Sequence, residues 1–165
     1  MNFRTMLPIV VAVFGLTACA VPGSTPIKKE FFIHSAWTKG IFSEAATVTG
    51  IGNAKFIYLA GVGAEDENGP RGNIRHHGDF TAQCRYAYDK IKRVLAAHGA
   101  KLGDTVKVTT YLTDIRNRID SGRCLSEQFA SAGAELPTQT MVQISALAFP
   151  EMMIEVDVTA VAQMP

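Results

Sequence analysis

A surplus of charge of one sign is absent from this sequence. Its 16 Lys and Arg stand against 15 Asp and Glu, a formal net charge of +1. The charges are scattered, so no basic stripe forms an electrostatic footprint, and no nucleic-acid partner is expected. Cysteine is also scarce. Cys19, Cys84 and Cys124 make neither a disulfide framework nor a zinc pattern. The Gly-rich stretch 61–78 (GVGAEDENGPRGNIRHHG) lacks GxGxxG and GK[ST], which argues against a phosphate-cradling loop. It reads as a hairpin-like excursion near a cleft. The apolar run Met6–Leu16 is too short to span a bilayer comfortably.

That run is an address. Arg4 supplies a positive start, and the run ends in Leu16-Thr17-Ala18-Cys19, which looks like a bacterial lipobox. Residues 1–18 read as a signal peptide, with Cys19 as the lipidated first residue of the mature chain. An ordinary secretory signal or a buried helix is the plainer alternative. The expectation is an extracytoplasmic, periplasm-facing lipoprotein held by a membrane anchor. Ala20 after the cysteine favours the outer membrane by resemblance to Gram-negative sorting. Residues 19–27 contain AVPGSTP, a flexible tether. Residues 28–165 form one domain.

Within that domain the clearest element runs over Phe80–His98. Phe80, Cys84, Ala87, Ile91, Val94, Leu95 and His98 recur at spacings of three and four and predict one helix face. Asp79 suits the N-cap, and Gly99 suits a left-handed C-terminal cap. The next stretch alternates as a strand. Val106, Val108, Thr110 and Leu112 point one way, Lys107, Thr109 and Tyr111 the other. Asp114–Ala132 predicts a second helix with Ile115, Ile119, Leu125 and Phe129 inward. Strands are expected at 28–34, 44–49, 56–61, 137–145 and 152–162, with Gly50, Gly52 and Asn53 turning the second into the third. In the last strand Glu155, Asp157 and Thr159 share a side opposite Ile154, Val156 and Val158. That side faces water, a cleft or another subunit. His76 and His77 read as solvated loop residues, and His98 as packed. Cys84 and Cys124 read as two free thiols, because facing helices usually exceed disulfide reach, although an oxidising compartment would permit a bridge.

GDFTAQCRYAYDKIKRVLAAHGAKLGDTVKVTTYLTDI and LPTQTMVQISALAFPEMMIEVDVTAVA closely resemble the Rid family, the reactive-intermediate deaminases also called YjgF-like. FSEAATV and FIYLAG resemble it more weakly. The resemblance implies an α+β fold, a six-stranded mixed sheet with two helices on one face in the order β-β-β-α-β-α-β-β. It also implies a homotrimer that holds a small-molecule ligand in clefts between subunits.

Active members of the family are implied to hydrolyse imines and enamines without a metal or cofactor. An arginine in the segment written here Pro137-Thr138-Gln139-Thr140 grips the substrate carboxylate, and a glutamate on the last strand helps activate water. By that resemblance Glu155 is the catalytic glutamate, and Gly61 ends the third strand beside the substrate. Phe42 stands where many members have a tyrosine. Gln139 occupies the arginine position. A neutral amide cannot replace a bidentate guanidinium, and losing such a charge-assisted pair in a desolvated cleft costs about 2–5 kcal/mol. The expectation is a pocket that has lost its hold on acidic substrates. Arg71, Arg75 and Arg123 are the other guanidiniums weighed for the cleft, and none is assigned to it. Two functions follow: an imine or enamine deaminase with altered substrate range, or a non-catalytic trimer that binds a small molecule or partner.

Overall fold

The computed structural model describes residues 25–164. The signal-like segment, its lipobox and Cys19 lie outside the described residues. The elements are β1 (Lys28–Phe32), β2 (Ala45–Thr49), β3 (Ala54–Tyr58), α1 (Phe80–Ala97), β4 (Thr105–Leu112), α2 (Arg118–Ser131), β5 (Thr138–Gln143) and β6 (Ile154–Gln163). Their order follows the β-β-β-α-β-α-β-β pattern.

β3, β6, β4 and β5 form one mixed sheet in that spatial order, with β4 and β5 parallel and the other pairs antiparallel. β1 and β2 pair only with each other among the strands. This corrects the expected six-stranded sheet. Gly50, at φ +71°, starts a short 3-10 turn over Ile51–Asn53 that leads into β3, so β2 is not its antiparallel neighbour. The hairpin spans the end of the sheet where β4 and β5 begin. Lys29 donates to Asp104 at 2.6 Å and to the Val161 carbonyl, while the Ser43 hydroxyl donates to the Leu136 carbonyl at 2.7 Å.

The core lies between the sheet and the two helices. α1 contributes Phe80, Gln83, Cys84, Ala87, Tyr88, Ile91 and Leu95, whose spacing keeps them on one stripe. Val94 is 37% exposed and His98 is exposed, so both lie round the helix from the predicted face. Gln83 is the polar surprise. Its amide donates to the Glu151 carbonyl and accepts from the Met153 N–H, both at 2.9 Å, so burial leaves no bond unmade. Asp79 caps α1 by accepting from the Ala82 N–H at 3.0 Å. Gly99, at φ +64°, lets the Ala100 N–H reach back to the Leu95 carbonyl at 2.9 Å. Gly99→Ala should cost about 1–2 kcal/mol through the left-handed backbone alone, read as a lower denaturant midpoint with unchanged slope.

α2 buries Ser121, Cys124, Leu125 and Phe129. Ile119 is 58% and Ile115 39% exposed, which corrects their inward assignment. Ile115 belongs to a 3-10 turn that precedes α2, so the helical register starts later than the alternation implied. Cys84 and Cys124 form a disulfide between α1 and α2, a correction of the free-thiol reading. Their Cα atoms are 6.6 Å apart, within disulfide reach. Small buried Ala87 and Ser121 on the facing stripes allow that close approach.

In β4 the alternation predicted from sequence is interrupted once. A bulge between Thr105 and Lys107 leaves Val106 half-buried, after which Val108, Thr110 and Leu112 face the helices as expected. Tyr111, opposite Glu155 in register, and Thr109, opposite Asp157, face away.

Candidate functional site

Glu155 and Gly61 meet. A side-chain carbon at Gly61 would collide with the Glu155 carboxylate and push it aside, so glycine keeps that carboxylate seated against the backbone. The next residue ties this approach down: Val62 and Val156 exchange backbone hydrogen bonds, both 3.0 Å. The segment beyond is held from the other side. Lys90 of α1 donates to the Gly63 and Glu65 carbonyls at 3.0 and 2.9 Å and to the Glu65 carboxylate at 3.1 Å. From there residues 65–74 make the hairpin-like excursion expected from sequence, with Glu65 bridged to Ile74 and the Asp66 N–H donating to the Asn73 carbonyl at 2.8 Å. His76 and His77 are solvated on its far side.

The setting of Glu155 is electrostatically tense. Its carboxyl is pushed above the ordinary range, by burial first, then by the charge of Glu65, then by that of Asp157. Asp157 accepts a hydrogen bond from the Tyr111 hydroxyl at 3.0 Å, which with the aspartate charge raises the Tyr111 pKa. A half-buried carboxyl with no hydrogen-bond donor among the described residues and a raised pKa is suited to accept and return a proton.

Gln139 and Phe42 also meet, but elsewhere. Gln139 stands opposite Val108 in register, which puts it on the helix side of the sheet, whereas Glu155 is on the open side. The two side chains leave the sheet in opposite directions. Gln139 and Phe42 line a cavity of about 340 Å³ with Trp37, Ile41, Arg118, Ile119, Gly122 and Met141. Trp37 packs edge-on to Phe42 with ring centroids 5.6 Å apart. The loop that carries both rings is fixed by Glu44, which accepts from the Ser35 N–H at 2.6 Å and hydroxyl at 2.8 Å, the His34 N–H and the Thr38 hydroxyl. The Ser35 N–H, then the Ser35 hydroxyl, contribute most to lowering the Glu44 carboxyl to about 2. The Gln139 amide nitrogen donates to the Thr110 hydroxyl at 3.3 Å.

The candidate residues thus form two half-sites, Gly61 with Glu155 and Phe42 with Gln139. Arg75 is committed to Asp66 and to the Tyr86 ring, and Arg123 to Asp120 at 2.9 Å. Sequence reasoning missed Glu65, Lys90, Trp37 and Arg118. Their roles arise from chain segments distant in sequence, and no spacing rule joins them. Among the described residues no group of three or more His, Cys, Asp or Glu is placed to hold a metal ion.

Residues 38–162 match the family described as Endoribonuclease L-PSP. A RutC family protein of Pyrococcus abyssi is 33% identical over 120 residues, covering 68% of this chain and 88% of that protein. The 2-iminobutanoate/2-iminopropanoate deaminase of Escherichia coli is 29% identical over 83 residues, half of this chain and 64% of its own. Among solved structures, a Rid-family protein of unknown function from Yersinia pestis superposes with a TM-score of 0.67 at 24% identity, covering 80% of this chain and 97% of its own. Escherichia coli TdcF with bound serine superposes at 0.59 and 23% identity, covering 66% of this chain and 81% of its own. The α+β fold with its two helices and mixed sheets is the one these structures share, and the chain belongs to the Rid (YjgF/RutC) family.

Proposed function

We propose that this protein hydrolyses imines and enamines to carbonyl compounds and ammonia, with a substrate range altered by Gln139. The observation that carries the reading is Glu155. Its carboxyl is seated against Gly61, half-buried, and raised in pKa. In the proposed reaction Glu155 takes a proton from water as the oxygen bonds to the imine carbon. That proton passes to the nitrogen and gives the neutral carbinolamine; Glu155 then takes the hydroxyl proton and delivers it to the nitrogen, the C–N bond breaks, and ammonia leaves as the carbonyl forms. Water and imine supply every atom of the products.

One substrate cannot touch both half-sites of a single protomer, since they lie on opposite faces of the sheet. A second copy that sets its open face beside the Gln139 cavity of the first would join them. Phe56, 49% exposed, and Tyr58, 75% exposed, give that open face an apolar rim suited to burial. The homotrimer with clefts between subunits is therefore part of the proposal. So is an extracytoplasmic, lipid-anchored location through Cys19, which the Cys84–Cys124 bond supports because disulfides persist in oxidising compartments. Ammonia should be released faster than in buffer from at least one member of a broad panel of imines generated in situ by oxidases, some from amino acids and some from amines that carry no carboxylate. No turnover above buffer across the panel overturns the hydrolase. Saturable binding without turnover would then favour a ligand-binding trimer, a reading to which the separation of Gln139 from Glu155 already lends weight.

A further inference from the structure

Arg118 opens α2 and has no ion pair among the described residues, whereas neighbouring Arg116 and Arg123 are each committed to an aspartate. It lines the same cavity as Gln139 and Phe42. A second recess of about 250 Å³ continues from it past Ile41, Arg118, Ile119, Gly122, Ser126 and Arg123, the last with its guanidinium held by Asp120. The remaining walls of the first cavity are Trp37, Ile41, Ile119, Gly122 and Met141, of which Trp37, Ile41 and Ile119 are 68%, 41% and 58% exposed. A built cavity with apolar walls, one amide and one unpaired guanidinium has a definite complement. That complement is a small carboxylate with an aryl or branched alkyl group.

We propose that Arg118 is the anion anchor of this pocket, taking over from α2 the charge that Gln139 does not supply from β5, and that the pocket selects apolar carboxylates. The guanidinium binds the carboxylate through paired N–H donors. Trp37 and Phe42 cover the apolar group. Gln139, with its amide nitrogen engaged by Thr110, turns its carbonyl oxygen to a ligand N–H. As a statement about substrate the inference rests on the hydrolase reading. As a statement about binding it does not.

The test separates the two. Trp37 is the only tryptophan in the chain, so its fluorescence reports occupancy directly. Purified full-length protein is titrated with 3-phenylpropanoate and with its neutral amide. The acid should bind more tightly than the amide. Arg118→Gln should weaken the acid about 10- to 100-fold and leave the amide unchanged, the loss expected for one charge-assisted pair. Arg116→Gln, at a guanidinium that is held by Asp114 and lines neither recess, should leave both affinities unchanged. No binding of the acid by the wild type, or equal binding by Arg118→Gln, overturns the proposal. Arg118-dependent binding with no ammonia release from any imine would sink the hydrolase and leave the anchor standing. Turnover of acidic imines that ignores Arg118→Gln would do the reverse.

Discussion

Replacing Glu155 by glutamine is expected to lower ammonia release by about 10²- to 10⁴-fold, the usual contribution of a positioned acid–base group. It is also expected to raise the thermal midpoint at pH 7–8. Both follow from one cause. The Glu155 carboxyl is pushed up by burial, by Glu65 and by Asp157, so the folded protein favours its protonated form. A group raised in this way contributes its full stability below its unfolded pKa, about 4.3, and loses it as pH rises through the folded value. At neutral pH the ionised carboxylate therefore works against folding. Glutamine keeps the shape against Gly61 and removes the charge. The stabilisation should vanish at pH 3–4, where wild-type Glu155 is itself protonated. Unchanged activity in Glu155→Gln would remove the proposed base, and a lower midpoint at pH 7–8 would mean that the carboxylate is paired rather than strained.

The part of this site that sequence reveals is the part built on periodic elements. Glu155 lies on an alternating strand whose apolar partners Ile154, Val156 and Val158 are buried as the alternation requires, so its face was legible. Gly61 was legible only by resemblance, and its contact with Glu155 follows from a backbone pairing between Val62 and Val156, residues 94 positions apart by their numbering. The face of the sheet that Gln139 takes was not legible. Which face a β5 residue takes is set by its register with β4, and the short run Thr138–Gln143 is too weakly patterned to fix that register: Thr138, Gln139 and Met141 are half-buried and the others exposed. Arg118 was invisible for a related reason. Ile115 and Ile119 suggested an inward stripe at the start of α2, whereas Ile115 lies in the preceding turn and Ile119 lines a cavity beside the neighbouring Arg118. The separation of β1 and β2 from the main sheet was not legible either, because a Gly-containing turn of the Gly50–Asn53 kind serves a hairpin or a corner equally well.

Breaking the Cys84–Cys124 bond should cost roughly 4 kcal/mol of folding stability, by the chain-entropy relation for a loop of the size that a separation of 40 residues closes. For a domain of this size that corresponds to a fall of about 8–16 °C in the midpoint. The loop it closes contains most of α1, all of β4 and the first half of α2, so the bond shortens the unfolded chain across the helix layer of the fold. Both sulfurs are buried, at 0% and 1% residue exposure, so a reductant must wait for the helices to part. Mild reductant under native conditions should therefore leave the midpoint high for a time, while reductant added in denaturant should lower it at once. The double variant Cys84→Ala, Cys124→Ala should be low under both conditions, with a further loss from the small void it leaves. The same comparison bears on location. A protein whose helix layer depends on a bond between two buried sulfurs is best matured where thiols are oxidised, which is where a chain lipidated at Cys19 would fold. Equal midpoints for oxidised and fully reduced protein would show that the helix layer holds without the bond, and would remove this support for an extracytoplasmic site.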